Sequence, residues 1–275
     1  MRGSRWARLA LFGAWLACVS SAPLAQGTQP KSDYEPYVGQ DGKDVVWVPT
    51  PQSLVDRMLS IAKVRPDDYL IDLGSGDGRT VITAAKRGTR ALGIEYNPDM
   101  VKLAQSNARK AGVAGKAQFR HADLFETDLS EATVITMFLL PEINMKLRPR
   151  LLKLKPATRI VSNSFRMENW KPDATTTARK DCESYCTAYL WIVPARVAGT
   201  WNTPQGTLTL KQRFQYITGK LQGSEPAVVA KGKLNGDLIT FVTGQTRYEG
   251  RVNGNTIKGT ATANGGTTKW IATKS

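Results

Sequence analysis

Tyr69-Leu-Ile-Asp-Leu-Gly-Ser-Gly-Asp-Gly-Arg79 is the stretch on which the fold turns. Leu70, Ile71 and Leu73 form a short apolar run of the kind that becomes a buried strand. Gly74, Gly76 and Gly78 then crowd into a turn, and from Arg79 a helical pattern runs through Val81, Ile82, Ala84 and Ala85 until Gly88. A strand, a glycine turn and a helix N-terminus in that order build a nucleotide site, because glycine lets backbone approach a ligand closely. Such a turn also serves as a plain tight connection, so its surroundings decide. Arg90-Ala-Leu-Gly-Ile-Glu-Tyr96 is a second strand, and its Glu95 lies about 20 residues on, where an acid meets ribose hydroxyls. A third strand, Ala117 to Leu124, ends at Asp123. Each acid taken singly reads equally well as a solvated strand end or cap. In sequence, Asp72, Glu95 and Asp123 line one crevice.

At these residues the chain resembles the class I, seven-strand S-adenosylmethionine-dependent methyltransferases. Leu70 to Gly78 is similar to their first motif, Glu95 to their ribose-binding acid, and Ala122-Asp-Leu124 to their adenine-binding turn. The likeness runs from about Val48 to Pro194. It implies an α/β fold, a Rossmann-like doubly wound seven-strand sheet, with S-adenosyl-L-methionine as cofactor. It further implies that Asp72, Gly74, Ser75, Gly76 and Asp77 cradle the methionine half, Glu95 and Tyr96 the ribose, Asp123 and Leu124 the adenine, with Leu140 also at the cofactor. Within the superfamily the chain is similar to the mitochondrial-type protein-lysine methyltransferases that modify the ATP synthase c-ring protein and the adenine nucleotide translocase. The shared elements are Val48-Pro-Thr-Pro51, Asp72 to Arg79, and Gly93-Ile-Glu-Tyr-Asn-Pro98. This implies N-methylation of a protein lysine. The alternatives are a small-molecule methyltransferase, or an exported binding protein that keeps the fold without turnover.

The rest of the catalytic domain, expected over residues 48–197, follows in order. Asp33 to Asp44 is polar and rich in turn formers, and is expected at the surface until the chain docks at Val45 to Pro49. Thr50 to Ser53 opens a helix whose apolar face is Leu54, Val55, Met58, Leu59 and Ile61. In the resembled family this segment folds over the cofactor, making Trp47, Pro49 and Thr50 candidate lid residues; for Trp47, packing of an arm on the sheet is the alternative. Thr133 to Leu140 is a continuous apolar run suited to a strand buried on both faces. Pro141-Glu-Ile-Asn144 follows, where the family lines its substrate channel, so Glu142 and Asn144 are the catalytic candidates. Glu142 either holds or deprotonates an amine, or charges the first turn of the next helix. Many amino-group methyltransferases carry Asn/Asp-Pro-Pro-aromatic at this turn, and here it is Leu139-Leu-Pro-Glu142, which leaves the acceptor type open. A nucleic-acid acceptor suits the charge but lacks that turn. A helix through Leu147 and Leu151 leads to the strand Arg159 to Phe165, whose Ser162, Asn163 and Ser164 are expected at the same mouth. Thr175 to Lys180 and Thr187 to Val193 read as the closing antiparallel hairpin. Methyl transfer needs alignment more than acid–base groups, and no catalytic dyad is evident.

Arg2, Arg5 and Arg8 precede an apolar run from Leu9 to about Ser21, the layout of a signal peptide, expected over residues 1–27 with an N-terminal arm at 28–47. The expected location is therefore export, to a periplasm, with a mitochondrial presequence as the alternative. An exported enzyme of this kind would need its cofactor delivered. The net charge of +15 falls to +12 without the three leader arginines, and such a surface is drawn to anions, or simply keeps the protein soluble. Of the three cysteines, Cys182 and Cys186 lie beyond the leader; an exported pair suggests a disulfide, which requires a turn between them, and two buried thiols are the alternative. No metal site is expected, since His121 is the only histidine. From about Gly199 the texture changes to alternating strands at 207–217, 230–234, 237–242, 246–252 and 256–260, with a last near Trp270. Turns such as Asn235-Gly236 and Asn253-Gly254 separate them, so residues 198–275 read as a small all-β barrel or sandwich. Its basic surface suits an acidic or membrane-surface partner, and a cover for a sheet edge is the alternative.

Overall fold

The computed structural model describes residues 34–275; the expected leader and the first residues of the arm lie outside the described residues. The chain runs α1 (Gln52–Ile61), β1 (Tyr69–Leu73), α2 (Arg79–Lys86), β2 (Arg90–Glu95), α3 (Pro98–Lys110), β3 (Ala117–His121), β4 (Val134–Met137), α4 (Pro141–Leu151), β5 (Arg159–Asn163), β6 (Ala174–Thr177) and β7 (Thr187–Ile192). Its strands form one sheet in the order β3-β2-β1-β4-β5-β7-β6, with β7 antiparallel to both neighbours. The order reverses at β1/β4, and a doubly wound sheet opens its crevice at such a switch point.

Successive strand residues face opposite sides. Leu70 and Val134 therefore meet Leu54, Met58, Val81 and Ala104 of α1, α2 and α3 on one face. Ile71, Leu73, Ile135 and Met137 meet Ile143, Leu147 and Leu151 of α4 on the other. Asp72 and Thr136 share the first face and are paired in register. A connection containing the fully buried Trp170 takes the place of a helix after β5.

The tail is a closed antiparallel barrel of β8 (Gly199–Thr203), β9 (Gly206–Arg213), β10 (Tyr216–Gln222), β11 (Ala227–Asn235), β12 (Leu238–Thr243), β13 (Thr246–Asn253), β14 (Thr256–Ala263) and β15 (Gly266–Lys274). β15 returns to pair with β8, so the meander has no open edge. Its bore is filled by side chains such as Trp201, Leu234, Ile239 and Ile257, with Phe241 stacked on Tyr248 at 4.7 Å and Trp270 edge-on to both. The expected strand at 207–217 is two strands. Phe214 takes φ +54° and leaves the barrel to stack on Trp170 at 5.8 Å, while the buried Gln215 donates to the Lys171 carbonyl at 2.8 Å. Packing on the catalytic sheet thus overrides local alternation. The β11–β12 turn is tied to the linker before β8, where the Gly236 carbonyl accepts from the Ala195 amide at 2.8 Å.

Candidate active site

A cleft of about 1020 Å³ opens at the C-terminal ends of β1, β2 and β4, lined by residues 74–77, 94–97, 122–124 and 137–139 and covered by residues 40–50 of the arm. Its floor is the glycine turn. Gly74 and Gly76 adopt φ +75° and +52°, and a Cβ at Gly76 would stand 2.6 Å from Trp47 Nε1. The turn and the arm therefore touch where only glycine fits.

The amides of this turn are already used. Gly74 and Ser75 both donate to the Ile94 carbonyl, Gly78 donates to the Ser75 carbonyl, and Gly76 donates to the Glu95 carboxylate at 2.9 Å. The second Glu95 oxygen accepts from the Asn97 amide at 2.9 Å. Asn97 in turn caps α3, accepting from the Asp99 and Met100 amides. Glu95 is thus fixed by backbone, with lone pairs left for hydroxyls in the cleft. Asp72 accepts from Thr136 Oγ1 at 2.6 Å. Burial pushes its carboxyl up to about 7; the Thr136 bond pulls it down, and the Glu95 and Asp77 charges push it further up. Asp123 accepts from Lys43 Nζ and from the Phe125 amide, which hold it below the usual carboxylate range, Lys43 foremost. Lys43 also lies 4.5 Å over the Tyr96 ring.

A turn with spent amides and three aligned carboxylates suits a ligand rich in donors rather than a pyrophosphate. An ammonium, a ribose diol and an adenine amino group are such donors, and they match Asp72, Glu95 and Asp123 in that order along the cleft. Residues 72–174 match the ANTKMT methyltransferase domain. Over 152 residues the chain is 46% identical to a protein-lysine N-methyltransferase of Saccharolobus islandicus, a match covering 94% of that protein and 54% of this chain. The chain belongs to this methyltransferase family. It is also 35% identical over 131 residues to the mouse lysine N-methyltransferase of the ATP synthase c-ring protein, a match covering 47% of this chain and 53% of that protein. The chain thus spans about half the length of that relative. A solved structure, described as an RNA methyltransferase from Salinibacter ruber in complex with S-adenosyl-L-homocysteine, shares 51% identity with a TM-score of 0.51, covering 55% of this chain and 96% of that one. The protein is an S-adenosylmethionine-dependent methyltransferase.

Asp72, Gly74, Ser75, Gly76, Asp77, Glu95, Tyr96, Asp123 and Leu124 all line this cleft. Two of them face elsewhere with their side chains. Asp77 binds Arg79 at 2.6 Å, and Arg79 also donates to the Thr50 carbonyl at 2.8 Å, so this pair ties the arm to the turn. Ser75 Oγ is buried without a partner in tight space beside Gly93. Leu140 lies outside the cleft and is half exposed, because the strand has ended and the chain turns outward as it enters α4; Leu139, one residue earlier, is the buried wall. Glu142 is exposed in the first turn of α4 and lines neither the cleft nor the hollow beside it, which fits its reading as a helix-end charge. Asn144 is fully buried and donates to Ser162 Oγ and the Phe165 carbonyl, both at 3.3 Å, so it holds a loop rather than the reacting atoms. Ser162 and Asn163 are likewise buried away from the mouth, Asn163 donating to Thr50 Oγ1 at 3.2 Å.

The arm docks earlier than expected. The Gly39 amide donates to the Trp47 carbonyl and the Trp47 amide to the Gln40 carbonyl, while the Tyr34 hydroxyl accepts from the side chains of Gln40 and Asn97. Sequence reading does not single out Lys43; Gly39 and Gly42 on either side of Gln40-Asp41 are the available sign of a tight turn there.

Proposed function

We propose that this chain transfers the methyl group of S-adenosylmethionine to the side-chain amine of a lysine in a protein, outside the cytoplasm. The observation that carries the acceptor is the 46% identity to a protein-lysine N-methyltransferase across nearly all of that enzyme's length. Bound S-adenosylmethionine supplies a methyl carbon that is already electrophilic. The chain's own residues align and exclude water. Asp72 would hold the ammonium, Glu95 the ribose and Asp123 the adenine amino group, while Trp47 and the Arg79-held Thr50 close the arm over the turn. Desolvation beside Leu139 and Phe138 favours the neutral amine that must attack. Export is supported by the arginine-led apolar leader and by the Cys182–Cys186 disulfide, whose Cα atoms are 5.7 Å apart. The barrel carries ten Lys and Arg against three acids between residues 198 and 275, which supports an acidic protein or membrane surface as its partner.

The test is to incubate the full chain with methyl-labelled S-adenosylmethionine and a periplasmic extract, then analyse hydrolysates. Label in methyl-lysine supports the reading. Label only in RNA or in small molecules overturns it.

A further inference from the structure

Beside the cofactor cleft, and sharing Phe138 and Leu139 with it, lies a second hollow of about 850 Å³. One wall is aromatic. Phe138 and Phe165 stack at 6.1 Å with planes 22° apart, and Tyr185 lies across both at 5.3 and 6.0 Å. Asp41 and Asp44 of the arm face the hollow from the other side. Lys43 also borders it, but its ammonium is committed to Asp123 and the Tyr96 ring. Ring faces and carboxylates around an apolar space adjoining the methyl end make a receptor for an alkylammonium.

Each ring comes from a different segment and has its own support. Phe138 follows β4 directly. Phe165 is held through its carbonyl by the buried Asn144. Tyr185 is 44% exposed and adopts φ +56°, a conformation that a tyrosine rarely holds unaided. It sits inside the loop closed by the Cys182–Cys186 bond.

We infer that Phe138, Phe165 and Tyr185 form the acceptor's ammonium site, and that the Cys182–Cys186 bridge is the device that keeps Tyr185 in that wall. The inference rests on the lysine-methylation reading for the identity of the acceptor. The site works at docking, by cation–π attraction and by enclosing the methylene stem. Losing it therefore raises KM for the acceptor and leaves cofactor binding alone. Tyr185 and Asn144 differ in role: the first touches the acceptor, while the second acts only through Phe165.

The experiment titrates the full chain, saturated with S-adenosylhomocysteine, with Nε-trimethyl-lysine and with norleucine, by NMR or calorimetry. Trimethyl-lysine is a cation that cannot accept a methyl, and norleucine has a neutral side chain. The expected result is about tenfold preference for the cation, lost in Tyr185→Ala and Phe165→Ala and kept in Tyr185→Phe. The double variant Cys182→Ser/Cys186→Ser should lose about threefold. S-adenosylhomocysteine affinity, measured on each variant, reports whether it is folded and should not move. Equal binding of the two probes overturns the inference, as does a folded Tyr185→Ala that binds the cation like wild type. A bridge-free variant with unchanged cation affinity overturns the role of the bridge. Should the cation bind while no lysine is methylated in the extract, the acceptor reading fails and the ammonium site stands.

Discussion

In the sheet, Asp72 is buried against a single hydroxyl, with the charges of Glu95 and Asp77 nearby. In the barrel, the corresponding depth is occupied by Leu234, Ile239 and Ile257. Both regions are β-structure, and the contrast comes from how the strands are joined. Parallel strands whose order reverses at β1/β4 must leave their C-terminal ends open, and polar groups collect in that crevice. An antiparallel meander that closes on itself leaves no such gap, and its interior fills with hydrocarbon and aromatic rings. Affinity is therefore concentrated in the first region and packing energy in the second.

Substitutions can break or sharpen that contrast. The largest effect is expected in the barrel: Phe241→Ala, which removes a ring packed against Tyr248 and Trp270, should cost about 3–5 kcal/mol in denaturant unfolding. Cofactor affinity of the folded variant should stay within about twofold, since the barrel lends no side chain to the cleft. A parallel loss of affinity would show that the barrel shapes the cleft.

Next is the pH dependence set by Asp72. Its pKa is raised to about 7 from 3.8, so the cofactor-free protein holds that proton across the intervening range. The unfolded chain does not, and this stabilising contribution is present below pH 3.8 and lost as pH rises toward 7. Cofactor binding runs the other way, because the ligand's ammonium needs the ionised form. S-adenosylhomocysteine affinity should rise by up to about tenfold per pH unit below pH 7 and level off above it. In Asp72→Asn the profile should be flat and weak. A wild-type profile that is flat through that range would remove Asp72 from the ammonium site.

The smallest effect concerns the arm. The Lys43–Asp123 pair is solvent-exposed at its edge, while Arg79 and Asn163 anchor the arm independently through Thr50. Lys43→Ala should speed cofactor release by about two- to threefold in stopped-flow measurements, less at high salt. A larger change would mean that this ion pair is the main latch.

The glycine turn and Glu95 are legible in the sequence because they are local: a strand, three glycines and an acid at a fixed distance carry their meaning within one βαβ unit. The barrel is legible as a class, through alternation and Asn-Gly turns, but the break at Phe214 is not. Alternation continues straight through it, and only the stack on Trp170, far earlier in the chain, bends it. Asn144, Ser162 and Asn163 look in sequence like polar groups at a mouth. In space their bonds run to other parts of the scaffold, and nothing in residue type separates the two cases. Leu139 and Leu140 differ by one step at the end of a strand, where the rule of alternation expires.

The central claim is that this cleft recognises S-adenosylmethionine through carboxylates fixed by backbone. It is tested most directly by calorimetric titration of the full chain and of Glu95→Ala with the cofactor. Saturable one-to-one binding by the wild type, weakened about tenfold or more by the substitution with no change in melting temperature beyond about 4 °C, is the predicted result. A folded wild type that binds no cofactor, or a Glu95→Ala that binds it equally well, would contradict the account.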